Sequence, residues 1–327
     1  QIPYNVYGNR QDGYSYRGPS NSRQGSIPLG LWHAVGGCES GWAIPDPVDN
    51  HIVWSGCYDG GLQVYDLRTG HARDVRVWPE AGYGWAPQDM RYRWHWSFPI
   101  FISPHNHKRV YVGSQFVHMT EDYGQSWKII SPDLTTNDAE FRNPSNSGYL
   151  TRSVTGGENH FTIITLAESS LDTQEIWAGT DDGNLQVTLN GGKTWTEVGQ
   201  LLVKQFPSIG QNASSPRGKR PWISRVSPSA HVKGRCYVSL DNHRYDDMNA
   251  YVFVTNDYGK TWKSLQNNLP EYSVYVVRED PENPDLLFVG TEQGVLFSYN
   301  QGQEWHELMG NMPTVAVYDL VIHPRDG

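Results

Sequence analysis

Residues 272–305 read YSVYVVREDPENPDLLFVGTEQGVLFSYNQGQEW, and the fold is decided by how this stretch divides. "YSVYVVRED" is rich in β-branched and aromatic residues and reads as a strand. "PENPD" is a turn, because Pro and Asp fix and satisfy tight backbone geometry. "LLFVGTE" is a second strand, "QG" a two-residue hairpin turn, "VLFSYN" a third strand, and "QGQEWHEL" turns into a fourth. Nowhere in the chain does an apolar i, i+3, i+4 pattern persist for three turns, so little helix is expected.

The unit recurs earlier in the chain. Its turn and second strand reappear as "PDPVDNHIVWSGCYDGG", "SPHNHKRVYVGSQ", "SSLDTQEIWAGTDDG" and "SPSAHVKGRCYVSLD". Aligning the small residue that ends each strand gives Gly56, Gly113, Gly179, Ser239 and Gly290, in steps of 57, 66, 60 and 51 residues. That period suits a four-stranded sheet with its turns, and such sheets repeated radially are the blades of a β-propeller. The expected fold is therefore all-β, with about five blades visible and a sixth opening at the end, as part of a larger seven-bladed or tandem propeller. Blades are expected at roughly 33–90, 91–153, 154–215, 216–270 and 271–313, with 1–32 and 314–327 belonging to adjacent blades. The missing partners would come from the rest of a larger polypeptide or from a second chain, since an open arc exposes sheet edges. Gln1 where a Met would start, and the halt at "VIHPRDG", point the same way.

A second repeat ends four of the third strands, the unit around "VYDLRTG" lacking it: "TEDYGQSW" (Thr120 to Trp127), "TLNGGKTW" (Thr188 to Trp195), "TNDYGKTW" (Thr255 to Trp262) and "SYNQGQEW" (Ser298 to Trp305). A short Asx side chain satisfies backbone N–H groups in a hairpin turn, Gly supplies the dihedral freedom, hydroxyls complete the bonding, and Trp folds back between sheets. This pattern matches the Asp-box, or BNR repeat. The structural residues would be Asp122, Gly124 and Trp127; Asn190, Gly192 and Trp195; Asp257, Gly259 and Trp262; and Asn300, Gly302 and Trp305. Asn190 and Asn300 depart from the acidic position, and Glu304 replaces the usual hydroxyl. Together with "VYGNRQDG", "GGCESGWAIPDP", "VYDLRTG", "WAPQDMRYRWHWSFPIFISPHN" and "SWKIISPDLTTND", the chain resembles a family of large secreted bacterial propeller proteins related to the sortilin N-terminal domain. That resemblance implies a secreted, periplasmic or cell-surface setting.

Composition narrows the partners. With 26 basic and 35 acidic residues the net charge is −9, which offers no broad attractive field to a phosphate backbone, so nucleic acid is not expected. No apolar run approaches the roughly 20 residues of a spanning helix. The three cysteines lack CxxC spacing, which argues against structural zinc, and Cys38 and Cys57 remain open to pairing or to staying free. His105 and His107 in "SPHNHK" have no third ligand nearby in sequence, and "TDDGN" and "DDMN" read as turns, so neither metal nor cofactor is expected.

Propellers bind ligands on loops entering the innermost strands. Those loops carry the carboxylates Asp12, Glu39, Asp89 and Glu158 as candidate catalytic groups for glycoside hydrolysis, which needs two carboxylates roughly 5 to 9.5 Å apart. They also carry Trp42, Trp85, Trp94, His95, Trp96 and Trp222 as candidate ligand-binding side chains. Alternation in "RYRWHWSF" would put Tyr92, Trp94 and Trp96 on one face and Arg91, Arg93 and His95 on the other. The plainer reading has the carboxylates capping turns and the Trp residues filling gaps between blades. Sialidases carry an Arg-Ile-Pro entry that is missing here, and neither Asp12 nor Asp89 matches the motif of the tandem-propeller xyloglucan-active endoglucanases. The expected function is a binding or scaffold propeller that recognises a protein, peptide or glycan through its rim; the alternative is a glycoside hydrolase.

Overall fold

The structure is a computed structural model that describes residues 4–142, 156–157, 159–308 and 310–323. The chain divides into two compact units, Gln1–Ile130 with Asn137–Ile163, and Ser131–Thr136 with Ile164–Gly327. Unit 1 holds a three-stranded sheet, β1 (Asn5–Asn9), β2 (Ser15–Pro19) and β3 (His33–Ala34), and two four-stranded sheets. These are β4 (Ala43–Pro45), β5 (Ile52–Cys57), β6 (Gly61–Asp66) and β7 (His71–Asp74), then β8 (Ile100–Ile102), β9 (Val110–Gly113), β10 (Val117–Thr120) and β11 (Lys128–Ile129). Three more four-stranded sheets follow, the first running from unit 1's last residue into unit 2: β12 (Ile163–Ser169) to β15 (Thr196–Glu197) through β13 (Asp172–Thr180) and β14 (Leu185–Thr188). The next is β16 (Trp222–Pro228), β17 (Cys236–Asp241), β18 (Tyr251–Thr255) and β19 (Lys263–Ser264), and the last is β20 (Val274–Glu279), β21 (Leu287–Thr291), β22 (Gly294–Ser298) and β23 (His306–Glu307). Consecutive antiparallel strands pair in order in every sheet, which makes six blades of propeller type. Only two short α-helices occur among the described residues, α1 (Ala139–Arg142) and α2 (Gly199–Gln205).

The blade count differs in detail from the sequence reading. The sixth sheet is the N-terminal one, because "VYGNRQDGYSY" pairs with itself across the Arg10–Gly13 turn; residues 314–323 form no strand. That segment still follows the inner-strand pattern, since Val317 donates its N–H to Thr291 O at 2.8 Å.

The small residues that set the repeat have a packing reason. A Cβ on Gly56 would meet Ile100 Cδ1 at 3.2 Å, one on Gly113 would meet Ile163 Cβ at 2.8 Å, and one on Gly290 would meet Val317 Cγ1 at 2.9 Å. Gly179 faces Ile223 in the same way. The second strands at Gly56, Gly113 and Gly179 thus give way where the first strand of the next sheet crosses them, Gly290 gives way to Val317, and Ser239, which stands in the equivalent place, bonds Ser224 Oγ at 2.9 Å.

The Trp-ended turns lie between third and fourth strands and are built alike. Thr120 Oγ1 donates to Asp122 Oδ1 at 2.8 Å and accepts Gly124 N–H at 3.0 Å, while Asp122 takes Ser126 N–H at 2.9 Å and Ser126 Oγ at 2.6 Å. Asp257 repeats these contacts with Thr255 and Thr261, and Thr255 Oγ1 again accepts the Gly259 N–H. Asn190 reproduces them with its amide, Oδ1 accepting from Thr194 N–H at 2.9 Å and Nδ2 donating to Thr194 Oγ1 at 2.7 Å. At Asn300 the backbone contact to Glu304 persists at 2.9 Å. Tyr123 and Gly124 (φ 57° and 76°) show the paired left-handed positions that require Gly at the second. The indole N–H of Trp127 reaches Val75 O at 2.9 Å and that of Trp305 reaches Leu265 O at 2.8 Å, tying each turn to the preceding blade.

The Ser126 hydroxyl, then its N–H, hold the Asp122 carboxyl down at about 2, below its ordinary 3.8. A lowered carboxyl stabilises the fold above pH 4 and loses that contribution as pH falls toward 2. Because Asn190 performs the same task, the Asp122→Asn variant will melt with the wild type at pH 7 and lose less than the wild type between pH 4 and pH 2. Thermal melts at pH 7 and pH 2.5 check this.

Candidate functional site

The loops at one end of the unit 1 sheets converge on a polar and aromatic cluster. The β1–β2 turn supplies Gln11 and Asp12, the loop entering β4 supplies Glu39, and the β5–β6 hairpin supplies Tyr58 and Asp59. Gln11 Nε2 donates to Glu39 Oε2 at 2.6 Å and Asp12 N–H donates to the same oxygen at 3.0 Å. Asp12 therefore meets Glu39 through its backbone, at φ 57°, and caps that carboxylate. Tyr58 stacks on Trp96 with ring centroids 4.9 Å apart and planes 10° from parallel, and Tyr83 stands edge-on to Tyr58 at 5.9 Å. Tyr83 is 61% exposed, Trp85 50% and Trp78 43%, so the aromatic surface faces solvent. The guanidinium of Arg91 lies 4.1 Å over the Trp78 ring.

Asp59 sits beside this stack in the left-handed region, φ 59°, and accepts Gly82 N–H at 2.6 Å. Burial raises its carboxyl above the ordinary 3.8, with the Gly82 bond and Arg76 opposing. The Tyr83 hydroxyl is pushed up to about 12 by its hydrogen bond with Tyr58, then by burial and by the charges of Tyr58, Asp59 and Glu39. Both carboxylates thus act on one ring. A cavity of about 170 Å³ opens against Tyr58, Asp59, Gln63 and Arg76. The Cys38–Cys57 disulfide, Cα–Cα 5.0 Å, pins the entry loop to the β5–β6 hairpin there.

The sequence-derived residues disperse. Trp94 is 4% exposed and belongs to the unit 1 core with Trp54, Phe98 and Ile100, pressed by Gly60. Residues 91–98 form no strand, which corrects the expected alternation: Tyr92, Arg93 and Trp94 are all buried, and Arg93 Nε donates to Phe161 O at 3.1 Å. Burial of Trp94 makes it a packing residue, leaving Trp96 as the stacking surface. Trp42 is half-buried against the same core, and His95 Nδ1 accepts Ser97 N–H at 3.1 Å. Asp89 is exposed and bonds through its backbone N–H to Ala86 O. Glu158 lies outside the described residues. Tyr58, Asp59 and Tyr83 were not among the residues the sequence singled out: "YDGG" is a strong hairpin signal, and it hides the carboxylate inside it.

Unit 2 holds Trp222, with the Arg244 guanidinium 3.8 Å over its ring. Asp241 receives Arg244 at 2.7 Å and lies 2.7 Å from His243 Nδ1; burial opposes its ionisation, but His243 and Arg244 outweigh that and hold its carboxyl low. Tyr275 stacks on Tyr318 at 4.4 Å. His107 Nδ1 lies 2.9 Å from the buried Asp46 carboxylate. Among the described residues no three His, Cys, Asp or Glu side chains are gathered to hold a metal ion, and no helix is long and apolar enough to cross a membrane.

No protein-family model and no curated protein matches the chain. Solved structures do. The chain is similar to the GH74 xyloglucanase from Xanthomonas campestris at 16% identity and TM-score 0.57, over 92% of this chain and 43% of that one. A GH74 enzyme from Niastella koreensis gives 17% identity and TM-score 0.56, over 93% and 43%, and an ancestral GH74 enzyme gives 13% and 0.58, over 93% and 37%. The chain spans about two fifths of the length of these structures, and at such identities the likeness shows a shared β-propeller fold.

Proposed function

We propose that the chain is the recognition part of an extracellular propeller protein and that the unit 1 rim binds a glycan. The observation that carries the reading is the stacked Tyr58–Trp96 pair with Tyr83 edge-on, set beside the half-buried carboxylate of Asp59. Sugar rings present apolar C–H faces that stack on aromatic rings, and hydroxyl edges that carboxylates and amides bond. The disulfide accords with an oxidising compartment. The Trp-ended turns are Asp-box hairpins in this reading, and the further sheets of a larger propeller come from the rest of the polypeptide or a second chain.

Titration calorimetry against soluble polysaccharides tests this. Trp96→Ala will weaken binding by about 2 kcal/mol, roughly thirtyfold, while leaving the melting temperature within a few degrees. Equal affinity in the variant would remove the reading. The second reading is glycoside hydrolysis, favoured by one observation: burial raises the Asp59 carboxyl, as a general acid requires, and the Glu39 carboxylate acts on the same Tyr83 hydroxyl. Release of reducing sugar by the wild type, absent from Asp59→Asn and Glu39→Gln variants, would establish it; binding without release would leave recognition alone.

A further inference from the structure

We infer that the cavity beside Tyr58 is an end pocket that holds one terminal sugar residue, without negative charge, of the bound glycan. The inference rests on the glycan reading above and specifies which part of the ligand is recognised. At about 170 Å³ the cavity is well below the roughly 300–1,000 Å³ that encloses a drug-sized ligand, so it has room for a single ring. Its lining includes the buried Leu62 and the half-buried Cys57, which is tied to Cys38 by the disulfide. Gly37 bounds it at φ 61°, where a Cβ would come within 2.8 Å of Gly56 O. With the buried Leu62, the Cys38–Cys57 bridge and Gly37 along its wall, the recess suits the end of a chain rather than its middle.

The polar wall selects hydroxyls. Asp59 uses Oδ2 to accept Gly82 N–H, which leaves Oδ1 as an acceptor. Gln63 Oε1 accepts Gly37 N–H at 3.0 Å, which leaves its Nε2 hydrogens as donors. Arg76 spends Nε and one terminal nitrogen on Asp74, at 3.0, 2.9 and 2.7 Å, and keeps the other. One carboxylate acceptor beside two donors matches adjacent sugar hydroxyls, each of which both donates and accepts. An anionic sugar is disfavoured: Asp74 already neutralises Arg76, and Asp59 with the nearby Glu80 repels negative charge. The aromatic pair then stacks the ring next to the terminus.

Calorimetry on the full chain, using the methyl glycosides of glucose, galactose, mannose and xylose and their β-linked oligomers of two to six residues, tests the pocket. One methyl glycoside is expected to bind within about tenfold of the affinity of its hexamer, and Asp59→Asn and Gln63→Ala are each expected to weaken it at least tenfold. Asn tolerates left-handed backbone, and Gln63→Ala provides a second variant whose melting temperature is compared with that of the wild type. Binding of hexamers with no detectable binding of any methyl glycoside, or indifference to both variants, would overturn the end pocket and leave glycan recognition standing. An absence of binding by every glycan, polysaccharides included, would overturn both.

Discussion

On going from pH 7 to pH 4 the protein will lose about 3 kcal/mol of stability through His118 alone. This imidazole lies on β10 with no exposure to solvent, its Nε2 2.8 Å from Ser114 Oγ and its ring between Tyr92 at 4.8 Å and Trp94 at 5.5 Å. Burial pushes it from 6.5 down to about 3. A cation there would stand among aromatic rings, with no carboxylate to meet it among the described residues. Between pH 6.5 and pH 3 the unfolded chain binds a proton that the folded chain refuses, so stability rises with pH across that window. The contribution is complete above 6.5, and each unit of pH below it removes about 1.4 kcal/mol until pH 3. Urea unfolding at pH 7, 5 and 4 measures the slope, and His118→Gln, which does not titrate, will show a slope shallower by about one proton. Equal slopes in the two proteins would mean that the imidazole is not held neutral.

Removing the disulfide with Cys38→Ser and Cys57→Ser will lower stability by a similar amount, about 3 kcal/mol. The two cysteines are 19 residues apart in sequence, and releasing a loop of that length returns roughly 3 kcal/mol of conformational entropy to the unfolded chain. The loss will reach function as well, because this bridge holds the entry loop carrying Glu39 to the hairpin carrying Tyr58 and Asp59. Guanidinium unfolding of the double variant gives the stability change, and glycan titration of the same protein at low temperature reads the loosened rim as a weaker affinity with the fold intact.

Much of the architecture is legible in the sequence because it is local. A strand of alternating residues, a two-residue turn and a small residue at a strand end are each readable within about ten positions, and the residues at Gly56, Gly113 and Gly179 mark inner-strand crossings that the structure displays. Asn190 and Asn300 stand in for Asp in the turns for the reason side-chain chemistry gives: Oδ1 accepts the same backbone N–H. The N-terminal sheet was harder to see because its strands are joined by a 13-residue stretch between Pro19 and His33 that carries no strand.

The site was less legible because it is assembled from distant segments. Trp94 and Trp96 look equivalent in "RYRWHWSF", yet one enters the core and the other stacks on Tyr58, a distinction set by Gly60 and Phe98 pressing on Trp94. Asp59 reads as half of an Asp-Gly turn, and its second role depends on Gly82, which is 23 residues away. Cys38 and Cys57 had no partner-specific signal in spacing; the β5–β6 hairpin and the loop entering β4 bring them together.

The most direct test of glycan recognition by the unit 1 rim is a crystal structure of the chain with an oligosaccharide that it binds. The account predicts a sugar ring stacked at the Trp96–Tyr58 pair and hydroxyls bonded to Asp59. An oligosaccharide seated elsewhere, with Tyr58, Trp96 and Asp59 untouched, would contradict it.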